Sequence, residues 1–162
     1  MPTNASMTEL QKCFATAGFG DVKTVLGSGN VVFTSRKAAR ASLERKIEEA
    51  MQKSLGRVFT TTVRSIEELA ALRAADPYQA FTIPADAKRV VTLLRAEPTR
   101  KLKLPIESDN AQILCIQGTE VFSAYGPNPK GPVFMTLLEK TLGKDITTRT
   151  WDTLGKVVKA GT

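Results

Sequence analysis

"TTRTWDTLGKVVK", residues 147 to 159, holds the chain's single tryptophan, an arginine set among threonines, and two lysines close to the C-terminus. The stretch reads as the start and body of a last helix. A hydroxyl at Thr150 can accept from an orphan amide one turn on, where Asp152 sits in the positively polarised first turn. Lys156 and Lys159 complement the negative end, and Trp151, Leu154, Val157 and Val158 recur at helical spacing as one apolar stripe.

The same local grammar occurs earlier in the chain. "RSIEEL" from Arg64 parallels "RTWDTL" from Arg149, which sets Ser65 against Thr150, Ile66 against Trp151 and Leu69 against Leu154. "KSLGR" from Lys53 parallels "KTLGK" from Lys140, and "VVFTS" from Val31 parallels "EVFSA" from Glu120. Both halves run hairpin, helix, strand, helix, at a separation too long for a solenoid repeat. An internal duplication is therefore expected, giving two similar α+β units at residues 1–80 and 81–162.

Working outward, Ser6-Met7-Thr8-Glu9 forms a capping box, in which serine and glutamate satisfy each other's end of the first turn. Leu10, Cys13, Phe14 and Ala17 extend that helix as a stripe that Gly18 ends. "DVKTVLGSGNVVFTS" gives two β-rich runs around Gly27-Ser28-Gly29-Asn30, a hairpin. Leu43, Ile47, Ala50, Met51 and Leu55 mark a helix within 36–55, and "RVFTTTVR" from Arg57 to Arg64 reads as a strand. Ser65-Ile66-Glu67-Glu68 is a second capping box, closed by the Asp76-Pro77-Tyr78 break.

In the second half, "KRVVTLLRA" from Lys88 reads as a buried strand and "AQILCIQGTEVFSAY" as two strands around Gly118. Pro132 suits a first helical position ahead of Phe134, Leu137, Leu138 and Leu142. A helix, hairpin, helix and strand make most of a split β-α-β arrangement, so the expected fold is α+β with two ferredoxin-like units. The first unit lacks its leading strand: five residues precede the cap at Ser6, and "MPTNA" has poor strand character. A partner chain filling that vacant position would make a homodimer.

With 162 residues and 42% apolar content, the chain can bury a core without metals or disulfides. Its longest apolar runs, such as "VVTLL" from Val90, fall far short of the roughly 20 residues of a membrane helix, and no charged-then-apolar leader opens it; no membrane association and a cytoplasmic location are expected. Cys13 and Cys115 form no C-x-x-C pair and read as core filler. The absence of histidine removes the usual general base, the commonest metal ligand and every Ser-His-Asp or H-E-x-x-H arrangement, so neither metal nor cofactor is expected.

A net charge of +7 favours anionic partners. Residues 88–103 hold Lys88, Arg89, Arg95, Arg100, Lys101 and Lys103 against Glu97. Four residues are candidates for anion binding. "YGPNPKGP", Tyr125 to Pro132, ends at a helix start, where amides and dipole attract anions, with Tyr125 and Lys130 at hand. Arg64 and Arg149 precede equivalent helix starts. Glu48-Glu49 and Glu67-Glu68 are helix neighbours that do not face each other, which disfavours paired acid and base work, and no catalytic residue is assigned.

These features favour a non-enzymatic protein whose basic surface binds a polyanion such as nucleic acid. One alternative is an enzyme acting on a small phosphorylated or carboxylated substrate, with Lys130 and Arg149 stabilising charge. Another is a structural protein–protein interaction module that uses the vacant strand position.

"MTELQKCFATAGFGDVKTVLGSGNVVFTS" from Met7, "VRSIEELAAL" from Val63 and "LLEKTLGKDITTRTWDTLGKV" from Leu137 together resemble the bacterial family called domain of unknown function 1697, with the tail around Thr148, Arg149, Trp151 and Thr153 the most specific part. The resemblance implies a two-part α+β protein with no established activity. It also implies a leading strand with an Arg-Gly-Ile-Asn-type glycine loop, absent here, and a Ser-Lys pair where this chain has Gly131-Pro132.

Overall fold

The computed structural model describes residues 6–26, 29–99, 101–127 and 133–162. Within them the fold is α+β: five α-helices and two sheets, divided between two compact units. One unit comprises Met1–Ala71 with Leu154–Thr162, and the other Leu72–Thr153. Both boundaries fall inside helices.

The first unit opens with α1, Met7–Thr16, whose Glu9 amide donates to the Ser6 hydroxyl at 3.1 Å. Gly18, at φ +99°, adopts the left-handed backbone that turns the chain out of the helix. β1, Gly20–Val25, and β2, Asn30–Thr34, pair antiparallel as a two-stranded sheet. Gly27 and Ser28 of the expected turn lie outside the described residues. α2, Arg40–Leu55, begins later than the 36–55 window and ends at Gly56. Leu10, Cys13, Phe14, Phe19, Ile47 and Met51 form the core of this unit, with Phe14, Phe19 and Phe33 in tilted contact at centroid distances of 4.6–5.8 Å.

The strand expected over Arg57–Arg64 is not found; the segment carries no sheet pairing. Its Val63 amide donates instead to Glu44 Oε2 at 2.9 Å. Glu44 is 2% exposed on α2, an acidic residue on the same helix face as the buried Ile47 and Met51. A buried carboxylate thus takes the place of a neighbouring strand as hydrogen-bond partner at this point.

α3, Ile66–Ala75, starts on the reciprocal capping box: the Glu68 amide donates to the Ser65 hydroxyl at 3.1 Å and the Ser65 amide to Glu68 at 3.3 Å. A 3-10 turn, Pro77–Ala80, follows, where the Asp76 side chain accepts from the Tyr78 amide.

In the second unit, β3, Lys88–Leu94, lies between two antiparallel neighbours, β6, Glu120–Tyr125, and β7, Ile146–Thr150. β4, Ile106–Ser108, and β5, Ala111–Gln117, complete a sheet ordered β4-β5-β6-β3-β7. Central placement explains why Val90 to Leu94 are all buried, as sequence alone implies for a run without alternation. Thr92 is fully buried among them, its hydroxyl 3.3 Å from that of Thr148 on β7.

One face of this sheet carries α4, Val133–Leu142, whose Phe134 and Leu138 pack with Val90, Val121 and Ile113. On the other, Tyr78, Phe122 and Trp151 meet edge to face at 5.1–6.2 Å. The Tyr78 hydroxyl donates to the Val90 carbonyl, and burial pushes its pKa well up. α5, Trp151–Ala160, starts directly from β7; the Thr153 amide donates to Thr150 Oγ1 at 3.2 Å. Trp151 is 8% exposed, with the Arg73 guanidinium 4.7 Å from its ring and donating to its carbonyl.

The textual match of "VVFTS" with "EVFSA" slips by one position in space. Phe33 faces the helices of its unit, whereas Phe122 faces Tyr78 and Trp151, away from α4. A shift of one residue along a strand reverses every side chain.

Candidate anion-binding cleft

Two of the four candidate anion ligands, Tyr125 and Arg149, border one cleft of about 390 Å³ in the second unit. The volume lies within the usual range for small-molecule sites. Tyr125 ends β6, and its ring stacks on Phe134 of α4 at 4.4 Å and 16°. Val90, Ala111, Pro127 and Val133 add apolar wall, and Asn110, Thr148, Arg149 and Thr150 are the polar and charged members of the lining. The floor is set by the sheet: Val90 pairs with Thr150 across β3 and β7, and Ala111 with Tyr125 across β5 and β6.

Gly126 and Pro127, at the cleft's edge, are tied to Asn110. Gly126 N donates to the Asn110 carbonyl at 2.8 Å, and Asn110 Nδ2 donates to the Pro127 carbonyl at 2.7 Å. Arg149 Nη1 donates to the Thr148 carbonyl at 2.8 Å, and desolvation lowers the guanidinium's pKa. Arginine keeps its charge under such a shift; Arg149 pairs with Val91, so its side chain leaves β7 on the face opposite that of Thr148 and Thr150, and the cleft touches it at the edge of the sheet.

Lys130 lies outside the described residues. Arg64 belongs to the first unit and is not part of this cleft, although it reproduces Arg149's local bond, donating to the Val63 carbonyl at 2.9 Å. Sequence reasoning missed Asn110, Thr148 and the apolar walls. They are contributed by strand ends brought together by sheet pairing, and periodicity within one strand carries no trace of that convergence. Thr148 had one readable sign, its position in the threonine-rich tail.

Within the basic 88–103 stretch, Arg100 lies outside the described residues, and the three cations on and just after β3 are spread apart. Lys88 and Arg89 leave opposite faces of β3, Arg89 lies 5.7 Å from the Tyr78 ring, and Arg95 follows the far end of a strand roughly 23 Å long. Among the described residues no group of three or more Cys, Asp or Glu side chains is placed to hold a metal, and no helix is long and apolar enough to cross a membrane. Cys13 is buried and Cys115 partly so, both thiols raised by desolvation, as suits packing.

No curated protein matches the chain. Among solved structures, it is similar to the conserved bacterial protein SP0830 from Streptococcus pneumoniae, with 17% sequence identity and a TM-score of 0.68 over 98% of this chain and 90% of that one. That likeness concerns the fold. A family model described as "Protein of unknown function (DUF1697)" matches residues 2–122, three quarters of the sequence, and the chain belongs to that family.

Proposed function

We propose that the second unit binds a small organic anion in the cleft bordered by Tyr125 and Arg149. The observation that carries this reading is a largely apolar recess of about 390 Å³ with Asn110, Thr148 and Thr150 on its fringe and Arg149 between the two threonines on the sheet's edge strand, from which a rotation of its long side chain around the edge would bring the charge to the recess. Low local dielectric strengthens a guanidinium–anion contact, and the apolar walls hold the rest of the ligand. Lys130 is close in sequence to Pro127 and Val133, both of which line the cleft, and is proposed as a second cation for the same ligand. Arg64 is proposed as the positional counterpart of Arg149 in the first unit, on the strength of their matching backbone bonds. If the bound anion is a substrate, Arg149 stabilises developing charge.

Isothermal titration against a series of small carboxylates and phosphate monoesters tests this. Binding by at least one of them, weakened about tenfold or more in Arg149→Met, is the expected outcome. Absence of binding across the series, or binding unaffected by that substitution, contradicts it.

A second reading, polyanion binding, draws on the net charge of +7. Anisotropy with labelled RNA and DNA at two salt concentrations separates it from the first. A polyanion complex weakens steeply with salt, whereas one guanidinium contact does not.

We further propose that the units descend from a duplicated ferredoxin-like plan, with residues 1–80 and 81–162 as its halves. Support comes from the all-antiparallel order β5-β6-β3-β7, which is the second, third, first and fourth strand of that plan, and from matching hydroxyl caps at Ser65 and Thr150.

A further inference from the structure

The recess runs across one end of the sheet to its last strand. Its lining takes Ala111 from β5, Tyr125 from β6, Val90 from β3 and Thr148 to Thr150 from β7, in the order in which those strands lie side by side. Among the described residues no strand pairs with the outer side of β7, and all five of its residues are partly exposed. The recess therefore reaches an edge that has backbone groups to offer.

Which groups face outward follows from the ladder. The Leu94 amide donates to the Thr119 carbonyl, on the β6 side of β3. Successive residues of a strand turn their amides and carbonyls to alternate sides, so Val90, Thr92 and Leu94 turn to β6, while Val91 and Leu93 turn to β7. There Val91 meets Arg149 and Leu93 meets Thr147. Thr148, between them, directs its amide and carbonyl away from β3, to the outer edge. Arg149 Nη1 donates to that carbonyl at 2.8 Å, which places the guanidinium at the edge of the sheet rather than inside the recess. A cation, an outward amide and an apolar recess thus adjoin along one strand.

We propose that β7 takes the C-terminal end of a polypeptide as an added strand, with its terminal carboxylate on Arg149 and an apolar side chain in the recess. This rests on the small-anion reading above and names the anion. Main-chain bonds to Thr148 supply affinity, and alternate side chains of the added strand fall on the α4 face, where Thr148 and Thr150 border the recess. The carboxylate complements the edge cation, whose fork can hold both of its oxygens. A small acid has the charge without the strand, and an internal segment has the strand without the charge.

The test is a protein-detected NMR titration of the intact chain with acetyl-Ala-Val-Ala-Val as the free acid, as its C-terminal amide and as the free acid N-methylated along its backbone, with acetylvaline as the small acid. The free-acid peptide is expected to bind roughly fivefold or more tighter than each of the other three. It is also expected to slow hydrogen exchange at the Thr148 amide, leaving those of Thr147 and Arg149, which face β3, unchanged. Thr148→Pro removes the outward amide at a position where an edge strand tolerates proline, and is expected to bring the peptide down to the level of acetylvaline. The N-methylated peptide probes the same pairing if that variant unfolds. Acetylvaline binding as tightly as the peptide, or the N-methylated peptide as tightly as its parent, overturns strand addition and leaves the small-anion reading standing. An amide that binds as tightly as the acid overturns the carboxylate's place at Arg149. No binding by the peptide acid or by acetylvaline overturns the proposal, and the Arg149→Met titration against the wider series then decides whether the broader reading falls with it.

Discussion

Glu44 is 2% exposed and its carboxylate accepts the Val63 amide at 2.9 Å, so at this position an acidic residue does the work of a strand neighbour. Removing it leaves a part-buried backbone donor without that acceptor, which costs about 1–3 kcal/mol. Glu44→Ala is therefore expected to lower the free energy of unfolding, measured by urea titration, by that amount, and Glu44→Gln, which keeps an acceptor oxygen, by less. Equal stability of Glu44→Ala and wild type would contradict the pinning role. Its spacing, three and seven residues before Ile47 and Met51, sets Glu44 on the buried face of α2; what the sequence does not show is the Val63 amide that its carboxylate meets there.

Glu68 shows the opposite balance. Burial pushes its carboxyl up, but bonds from the Ser65 amide and hydroxyl, with Arg40 at 2.9 Å and Arg64, outweigh it and hold the group below its ordinary range. A carboxyl depressed in the folded state adds stability that is present above its unfolded pKa of about 4.3 and is lost as pH falls through the folded value. Its side chain is 47% exposed, so solvent screening keeps the contribution near 0.5 kcal/mol. Stability of wild type and Glu68→Gln measured against pH is expected to differ slightly near neutrality and to converge in acid. A gap that widens as pH falls would contradict the sign.

At the scale of elements, the local signals proved strong where the backbone needs a specific chemical group. Both hydroxyl caps, at Ser65 and Thr150, are made as their spacing indicates, and Gly18 and Gly56 take the left-handed positions that end α1 and α2. The β-branched run 57–64 misled, because strand propensity records fit to a pleated neighbour and no neighbour pairs with that run among the described residues. Likewise, matching letters set Phe33 against Phe122, yet the two phenylalanines face opposite sides of their sheets, something only register can decide.

α5 ends in a close contact of the same kind. A Cβ at Gly161 would stand 2.5 Å from Ile66 Cδ1 and 3.4 Å from Val32 Cγ1, within the first unit. Gly161→Val is expected to destabilise by about 1–3 kcal/mol through overpacking, and the double variant Gly161→Val with Ile66→Ala to recover part of that loss. Thermal melts of the single and double variants measure it, and a fully additive loss would contradict the contact.

For the molecule as a whole, α+β architecture and most elements of the second half were legible because they follow from periodicity, caps and turns; β4, three residues in an irregular lysine-rich stretch, was not. Tyr125 and Arg149, singled out as a polar aromatic and a cation beside a helix start and a capped tail, both fall on the lining of one cleft. The cleft itself was not legible, since its walls come from β3, β5, β6, β7 and α4, and only tertiary pairing makes them neighbours. Family membership names the chain's kin without supplying an activity, so the cleft's chemistry is the route to function.

Isothermal titration of the wild type and Arg149→Met against the carboxylate and phosphate series addresses that chemistry most directly. The account predicts binding of at least one member, weakened by the substitution. No binding across the series, or binding that Arg149→Met leaves unchanged, would contradict it.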